Sequence, residues 1–252
     1  MTAAQAVRAA LLDFNGTLSD DEPLLCDLFS SIFSEYLGVV LDVDEYYRSL
    51  AGLSDAEIVE TILEMHDRGG DTELASFLQQ EKTRRYCREV LKRPRIRPGA
   101  VHLVREVARL VPVGVVTGAV HAEVDAAIEA AGLALDVRVV VAGDDVVRGK
   151  PDPEGYEIAL AALRALAPRE VFATLDACEV VVFEDSIAGA RAANAAGMPC
   201  VGVVGTADPA LLASEATRIV NRLDEEVAEW LIPMLATGPG RNIDLGEGGS
   251  HG

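Results

Sequence analysis

Four short apolar runs set the architecture of this chain: residues 9–12, 113–116, 137–142 and 180–183, each closed by polar or glycine-containing loops. Runs of this length, dominated by aliphatic and β-branched side chains, read as strands buried on both faces. A fifth run, 199–204, follows a helical stretch at 186–197, and Ile219-Val220 begins a sixth. Helix-period segments at 100–110, 121–131, 154–166 and 187–196 separate them. Such alternation predicts an α/β fold, a doubly wound and mostly parallel Rossmann-like sheet covered on both faces. Ligands of these sheets bind beyond the carboxyl ends of the strands, so the loops after each run are where chemistry is expected.

One stretch breaks the alternation. Between the first two strands, residues 20–95 read as almost wholly helical. Leu24/Leu25, Leu28/Phe29, Ile32/Phe33 and Tyr36/Leu37 recur at four-residue spacing on one face of a first helix. Ser54 is placed to cap a second helix, and a third is expected from about Thr72 to Leu91. An insertion of ~75 residues is too long for a loop, and its position over the ligand end of the sheet suggests a cap. The expected organisation is a core of residues 1–19 and 96–236, a helical cap of residues 20–95, and a glycine-rich flexible tail at 237–252.

Charge limits the partners. With 41 Asp and Glu against 22 Lys and Arg, the net charge is −19, a field that disfavours nucleic acid and anionic membranes. A basic residue inside a cleft therefore carries more information here than in a neutral protein. Cys26, Cys87, Cys178 and Cys200 form no C-x-x-C pair, which argues against a zinc ribbon or disulfide framework and fits a reducing compartment. The longest uncharged apolar run, 110–120, contains Pro112 and Gly114 and falls short of the ~18 residues of a spanning helix. The N-terminus has no signal-peptide pattern. A cytoplasmic protein without membrane contact, monomeric or weakly homodimeric, is expected.

The loops after the strands carry reactive groups in order. The first presents Asp13 ahead of Asn15, Gly16 and Thr17, a carboxylate beside a glycine turn whose backbone N–H groups can surround a ligand. The second ends in Thr117-Gly118, a hydroxyl and an N–H open to close approach by an anion. After the third comes Lys150, one of only three lysines with Lys82 and Lys92, in a chain that otherwise uses arginine. A lysine before a proline turn offers a compact point charge for phosphate. The segment is not a P-loop, because Gly143 to Gly149 is one residue too long and Pro151 replaces the Ser/Thr. The fourth ends in Glu184-Asp185, adjacent acids that are costly at a buried strand end unless solvated, paired or bound to a cation. Mg²⁺, which takes one or two carboxylates, waters and a substrate phosphate, suits such a pair.

In that order, residues 13–17, Thr117, Lys150 and Glu184-Asp185 resemble the four motifs of the haloacid dehalogenase-like (HAD) hydrolase superfamily. The resemblance covers about residues 8–205. It is strongest for the branch with a small helical cap, which includes β-phosphoglucomutase-like and phosphoglycolate-phosphatase-like proteins. It implies a hydrolase acting on a small phosphorylated metabolite, with Asp13 as nucleophile and an aspartyl-phosphate intermediate. It further implies Mg²⁺ held by Asp13, Asp185, the backbone carbonyl of Asn15 and, in or beside its shell, Glu184. Thr117 and Gly118 would bind phosphoryl oxygens, with Gly16 and Thr17 beside them, while Lys150 balances charge. Ser54 and Arg48, at and before the Gly52 turn, are the cap residues placed to meet substrate.

One position departs from this pattern. The superfamily's phosphatases and mutases usually have an aspartate two residues after the nucleophile as general acid and base, and here the residue is Asn15. An amide cannot exchange a proton at neutral pH, and such catalysis is typically worth ~10²–10⁴-fold. The substrate has a leaving group that needs no proton, another acid such as Asp20 or Glu22 substitutes, or the protein binds phosphate compounds without turnover; an inactivating replacement is a fourth reading. A β-phosphoglucomutase-like phosphotransferase is the alternative enzyme, and a non-catalytic metal- and phosphate-binding protein the alternative outside enzymes. Hydrolysis of a carbon–halogen bond needs no metal, so Glu184-Asp185 counts against it. His121-Ala122-Glu123 lacks the second cysteine of a zinc deaminase after Cys200. Residues 52–56 lack the final glycine of a serine-hydrolase elbow, and the basic run 92–98 reads as a solvated return from cap to core.

Overall fold

The computed structural model describes residues 7–166 and 172–235. The tail expected at 237–252 lies outside the described residues. Six parallel strands, β1 (Ala9–Leu12), β2 (Val113–Val116), β3 (Val137–Val141), β4 (Val180–Glu184), β5 (Cys200–Val203) and β6 (Arg218–Val220), form one sheet in the order β3-β2-β1-β4-β5-β6. The order reverses between β1 and β4, which pair from Ala9↔Val180 to Leu12↔Phe183. That junction is the topological switch point at which doubly wound sheets bind ligands.

Alternation along the strands sends side chains to two separate cores. Ala10, Leu12, Val113, Val115, Val181 and Phe183 pack on one face with α5 (Pro98–Ala108), α6 (His121–Ala131) and α10 (Glu225–Leu235). Ala9, Leu11, Val116, Val180 and Val182 pack on the other with α7 (Glu154–Arg164) and α8 (Ile187–Ala195). Strands clothed on both sides have no polar face to alternate, hence their uninterrupted apolar sequence. A short helix, α9 (Pro209–Leu212), precedes β6.

The helical insertion comprises α1 (Glu22–Leu37), a short α2 (Val43–Glu45) running into a π-helical turn at Tyr46–Leu50, α3 (Asp55–Met65) and α4 (Thr72–Lys92). Its boundaries follow from local chemistry. Pro23 sits in the first turn of α1, where a missing N–H costs nothing, and Gly38 in the left-handed conformation ends that helix. Ser54 and Glu57 form a reciprocal capping box at α3, and Asp71 caps α4. The chain leaves and re-enters the α/β unit side by side: Ser19 and Ile96 form an antiparallel bridge, and Asp20 N–H donates to the Arg95 carbonyl. Insertion side chains such as Phe29, Ile32, Phe33 and Tyr86 join the same apolar cluster as one sheet face. Among the described residues no helix is long and apolar enough to cross a membrane, and the four cysteines are free thiols.

Candidate active site

Asp13 follows β1 directly, and its N–H donates to the Phe183 carbonyl, so the β1–β4 ladder places it beside the end of β4. Lys150, in the loop after β3 and joined to Pro151 by a cis peptide, reaches the same point. Its ammonium donates to Asp13 Oδ1 (2.5 Å), to the Val116 carbonyl (3.0 Å) and to Glu184 Oε1, and it lies over the Tyr156 ring. The carboxyl ends of β1, β2 and β4 and the loop after β3 thus meet at one cation. Burial opposes the charge on Lys150, yet Asp13 and Glu184 outweigh it and hold the ammonium above its ordinary range.

Glu184 is fixed from every side. Tyr156 donates its hydroxyl to Oε1, while the Ser186 N–H and hydroxyl both donate to Oε2. Gly189 lies beneath it, where a Cβ would come within 1.8 Å of Oε1. Asp185 is held by the Thr206 N–H at Oδ2 (2.8 Å) and the Thr17 hydroxyl at Oδ1 (3.3 Å). Gly16, at φ +78°, approaches so closely that a Cβ would meet Asp185 Oδ2 at 2.2 Å.

Oxygens of Asp13, Glu184 and Asp185 all lie within 4.8 Å of one another, and all three residues are buried. One ammonium cannot balance three such carboxylates. Burial, followed by the charge of Glu184, pushes Asp13 well above the carboxylate range, and the same causes push Asp185 up to about 6. A cluster of hard oxygen donors with unbalanced negative charge fits a small divalent cation. The residues present therefore fit a metal.

Beside this cluster opens a cavity of about 290 Å³, walled on the α/β side by Asp13, Asn15, Thr117, Gly118 and Lys150 and on the insertion side by Glu22, Tyr46 and Ser54. A neighbouring cavity of about 380 Å³ shares Ser54, Thr117, Gly118 and Lys150 but does not reach Asp13. The smaller one is where a group could meet both the nucleophile candidate and the cation site. Thr117 is positioned by the Ala119 N–H, which donates to its hydroxyl. Gly118 abuts Ser54, whose Cβ would be 3.6 Å from a Cβ at that position.

The expected residues thus converge with three departures. Gly16 and Thr17 stand behind Asp185 rather than along the cavity, because the turn after β1 bends their atoms toward that carboxylate. Arg48 is exposed and does not line the cavity: the π-helical turn directs Tyr46 inward instead. Asp20, offered as a stand-in acid, is half-exposed and paired with Arg97 at the insertion's junction. The Asn15 amide donates to Asp21 Oδ2 (2.9 Å), and Asp21, fully buried, also receives the Tyr86 hydroxyl. Sequence reasoning missed Tyr156, Ser186 and Thr206 as supports of the acid pair. Only Ser186, as the hydroxyl next to Asp185 and N-cap of α8, left a local signal.

Comparison with known proteins gives the family. Residues 7–197 match the family model described as haloacid dehalogenase-like hydrolase. The chain is 32% identical over 227 residues to a validoxylamine A 7'-phosphate phosphatase from Streptomyces hygroscopicus subsp. limoneus, covering 86% of this chain and 95% of that protein. It is 26% identical to a phosphorylated carbohydrates phosphatase from Thermotoga maritima, covering 91% and 100% respectively. Among solved structures, CbbY from Rhodobacter sphaeroides with xylulose-(1,5)bisphosphate superposes with a TM-score of 0.74 at 27% identity, over 92% of this chain and 100% of that one.

Proposed function

The chain belongs to the haloacid dehalogenase-like hydrolases, and from that premise we propose that it is a Mg²⁺-dependent phosphatase of a small phosphorylated metabolite. The observation that carries this is the meeting of Asp13, Lys150, Glu184 and Asp185 at one point, with Asp13, Lys150 and Asp185 on the wall of a cavity of small-ligand size. The curated relatives named as phosphatases of phosphorylated carbohydrates and of a phosphorylated validoxylamine support a substrate of polyhydroxylated type.

Mg²⁺ would be held by Asp13, Asp185 and the Asn15 carbonyl, with Glu184 beside them, and would supply charge neutralisation and alignment of the phosphoryl group. Asp13 attacks phosphorus and becomes an aspartyl phosphate, and water then releases phosphate from it. Lys150, hydrogen-bonded to Asp13 in the free site, keeps that carboxylate aimed and offsets charge as the phosphoryl oxygens arrive. Thr117 and the Gly118 N–H bind those oxygens. Gly16 and Thr17 act one step back, through Asp185. The insertion serves as a cap whose inner wall, Glu22, Tyr46 and Ser54, meets the organic part of the substrate.

Among the described residues, Lys150 is the only cation on the cavity wall, against five acids: Asp13, Glu22, Asp55, Glu57 and Asp185. A second phosphate would find no cation there, which favours a monophosphate and hydrolysis over mutase chemistry. The test is release of phosphate from a panel of sugar and polyol monophosphates, with Mg²⁺ and with EDTA, by the wild type and Asp13→Asn. Turnover is expected for the wild type with Mg²⁺ alone. Activity that survives EDTA or Asp13→Asn undiminished would refute the reading.

A further inference from the structure

The phosphatase reading leaves a proton unaccounted for. An alkoxide leaving group needs one as the P–O bond breaks, and the attacking water must lose one afterwards, but the Asn15 amide can do neither. Most acids nearby are committed. Asp21 is sealed from the cavity and holds the Asn15 amide and the Tyr86 hydroxyl. Asp20 faces outward to Arg97. Asp55 is bound by Lys82 at 2.7 Å, and Glu57 is bound to Ser54 through two donors within 2.8 Å. Asp13 and Asp185 belong to the nucleophile and the cation site.

Glu22 differs from all of these. It opens α1, lines the same cavity as Asp13, Asn15 and Thr117, and makes no hydrogen bond to Asp13, Asn15, Glu184 or Asp185. It is steadied by the Tyr46 hydroxyl at Oε2 (3.1 Å) and by the backbone of Gly52. Resting on the phosphatase reading, we propose that Glu22 is the general acid and base of this protein, in place of the residue at position 15. In the first step Asp13 attacks phosphorus, the P–O bond to the substrate breaks, and protonated Glu22 gives its proton to the departing oxygen, which leaves as an alcohol. In the second, the Glu22 carboxylate takes a proton from water as that oxygen attacks phosphorus. The bond to Asp13 breaks, phosphate leaves, and both carboxyls return to their starting forms.

The surroundings suit both halves of that cycle. Burial first, then the charges of Asp21 and Asp185, push Glu22 up to about 7, while the Tyr46 hydroxyl pulls the other way. Cys26 on its own helix, Tyr47 on the π-helical turn, and Asp13, Asp55, Glu57 and Lys150 on the cavity wall are the other titratable groups around it. A carboxyl balanced near neutrality is populated in both forms, which is the condition for serving in turn as acid and base.

The test uses two substrates on the full chain with Mg²⁺: p-nitrophenyl phosphate, whose leaving group needs no proton, and glucose 6-phosphate, whose leaving group does. In Glu22→Gln, glucose 6-phosphate turnover is expected to fall on the order of 10²-fold or more. With p-nitrophenyl phosphate the variant should give a burst of about one nitrophenol per site and then a slow steady state, since only water attack is impaired. Asn15→Asp added to Glu22→Gln should restore turnover. Tyr46→Phe, which keeps the carboxyl but removes the donor that lowers its proton affinity, should move the pH–rate limb near 7 upward. Equal loss on both substrates without a burst, no rescue by Asn15→Asp, or a limb unmoved in Tyr46→Phe would overturn the assignment while leaving the phosphatase reading intact. A wild type inactive on both esters and on the whole panel of sugar and polyol monophosphates would overturn that reading itself.

Discussion

Two lysines in this chain are each clasped by two carboxylates, and they sit in different settings. Lys150 lies between Asp13 and Glu184, and Lys82 on α4 lies between Asp55 at the start of α3 (2.7 Å) and Glu123 on α6 (2.6 Å). Both ammonium groups are held above their ordinary range by these partners despite burial. The Lys82 side chain is 1% exposed and rests against Phe29 and Tyr86, and neither it nor Glu123 lines either cavity beside the site. The Lys150 side chain is 18% exposed, opens onto a cavity, and faces a third carboxylate, Asp185. A sealed ion cluster that joins the helical insertion to the α/β unit is a structural tie. An open one with excess negative charge fits a small divalent cation, and the proposed reading adds a phosphoryl group beside it.

The sharpest way to break this comparison is to remove each ammonium in turn. Lys150→Met is expected to lower kcat by on the order of 10³-fold or more, because the charge that meets the phosphoryl group goes with it. Lys82→Met should leave the chemical step largely intact at temperatures where the variant is folded. Phosphate release on folded, saturated enzyme decides it: equal loss in the two variants would mean that the Lys82 cluster reaches the chemistry.

Stability should reverse the ranking. Lys82→Met strands Glu123 in a buried setting, and breaking one side of such a cluster costs about 3–5 kcal/mol. Combining Lys82→Met with Glu123→Gln and Asp55→Asn should recover most of that loss, since no unpaired charge remains. Urea unfolding of the single and triple variants measures both. Burial already pushes Glu123 up to about 7, against the pull of Lys82, so its neutral replacement is the mild part of the change.

A divalent cation should separate the two clusters further. If Mg²⁺ binds beside Lys150, free ion at 100 times its dissociation constant should stabilise the protein by about 2.7 kcal/mol. Asp185→Asn should abolish that gain, and the Lys82 triple variant should retain it. Thermal melts with and without Mg²⁺ read both outcomes, and a gain that survives Asp185→Asn would move the cation site elsewhere.

The same pair explains what a reader of the sequence can and cannot see. Asp13, Thr117, Lys150 and Glu184-Asp185 were legible because a parallel sheet puts its ligands at strand ends, and the strands announce themselves as apolar runs. The insertion was legible from the four-residue pattern of α1 and the Ser54 cap. Lys82 was not, because Glu81, Lys82, Arg84 and Arg85 look like one solvated helix face, and the partner Glu123 lies 41 residues away. Glu81 and Arg85 in fact pair on that helix while Lys82 turns inward. Glu123 showed only as part of a rejected deaminase pattern. For Thr17, a hydroxyl in that loop gives no sign in the sequence that its partner is Asp185, 168 residues on.

The turn at Ser54-Asp55 is where the two clusters come closest in sequence, since Ser54 lines the cavity while the next residue binds Lys82. The Ser54 hydroxyl donates to Glu57 Oε2 (2.7 Å) and accepts from the Glu57 N–H, so its local work is to cap α3. Ser54→Ala should therefore cost about 1 kcal/mol, a drop in Tm of about 2–4 °C for a chain of this size, and Ser54→Gly only a few tenths of a kcal/mol. If capping is its whole role, KM for the best monophosphate substrate should change by less than about threefold, because a cap lost from an otherwise folded site removes roughly that much binding at most. A tenfold rise in KM at unchanged kcat would instead mean that the hydroxyl leaves Glu57 to bind substrate. Substrate would then pull on the turn that carries Asp55, and the Lys82 tie would no longer be independent of what the Lys150 site holds.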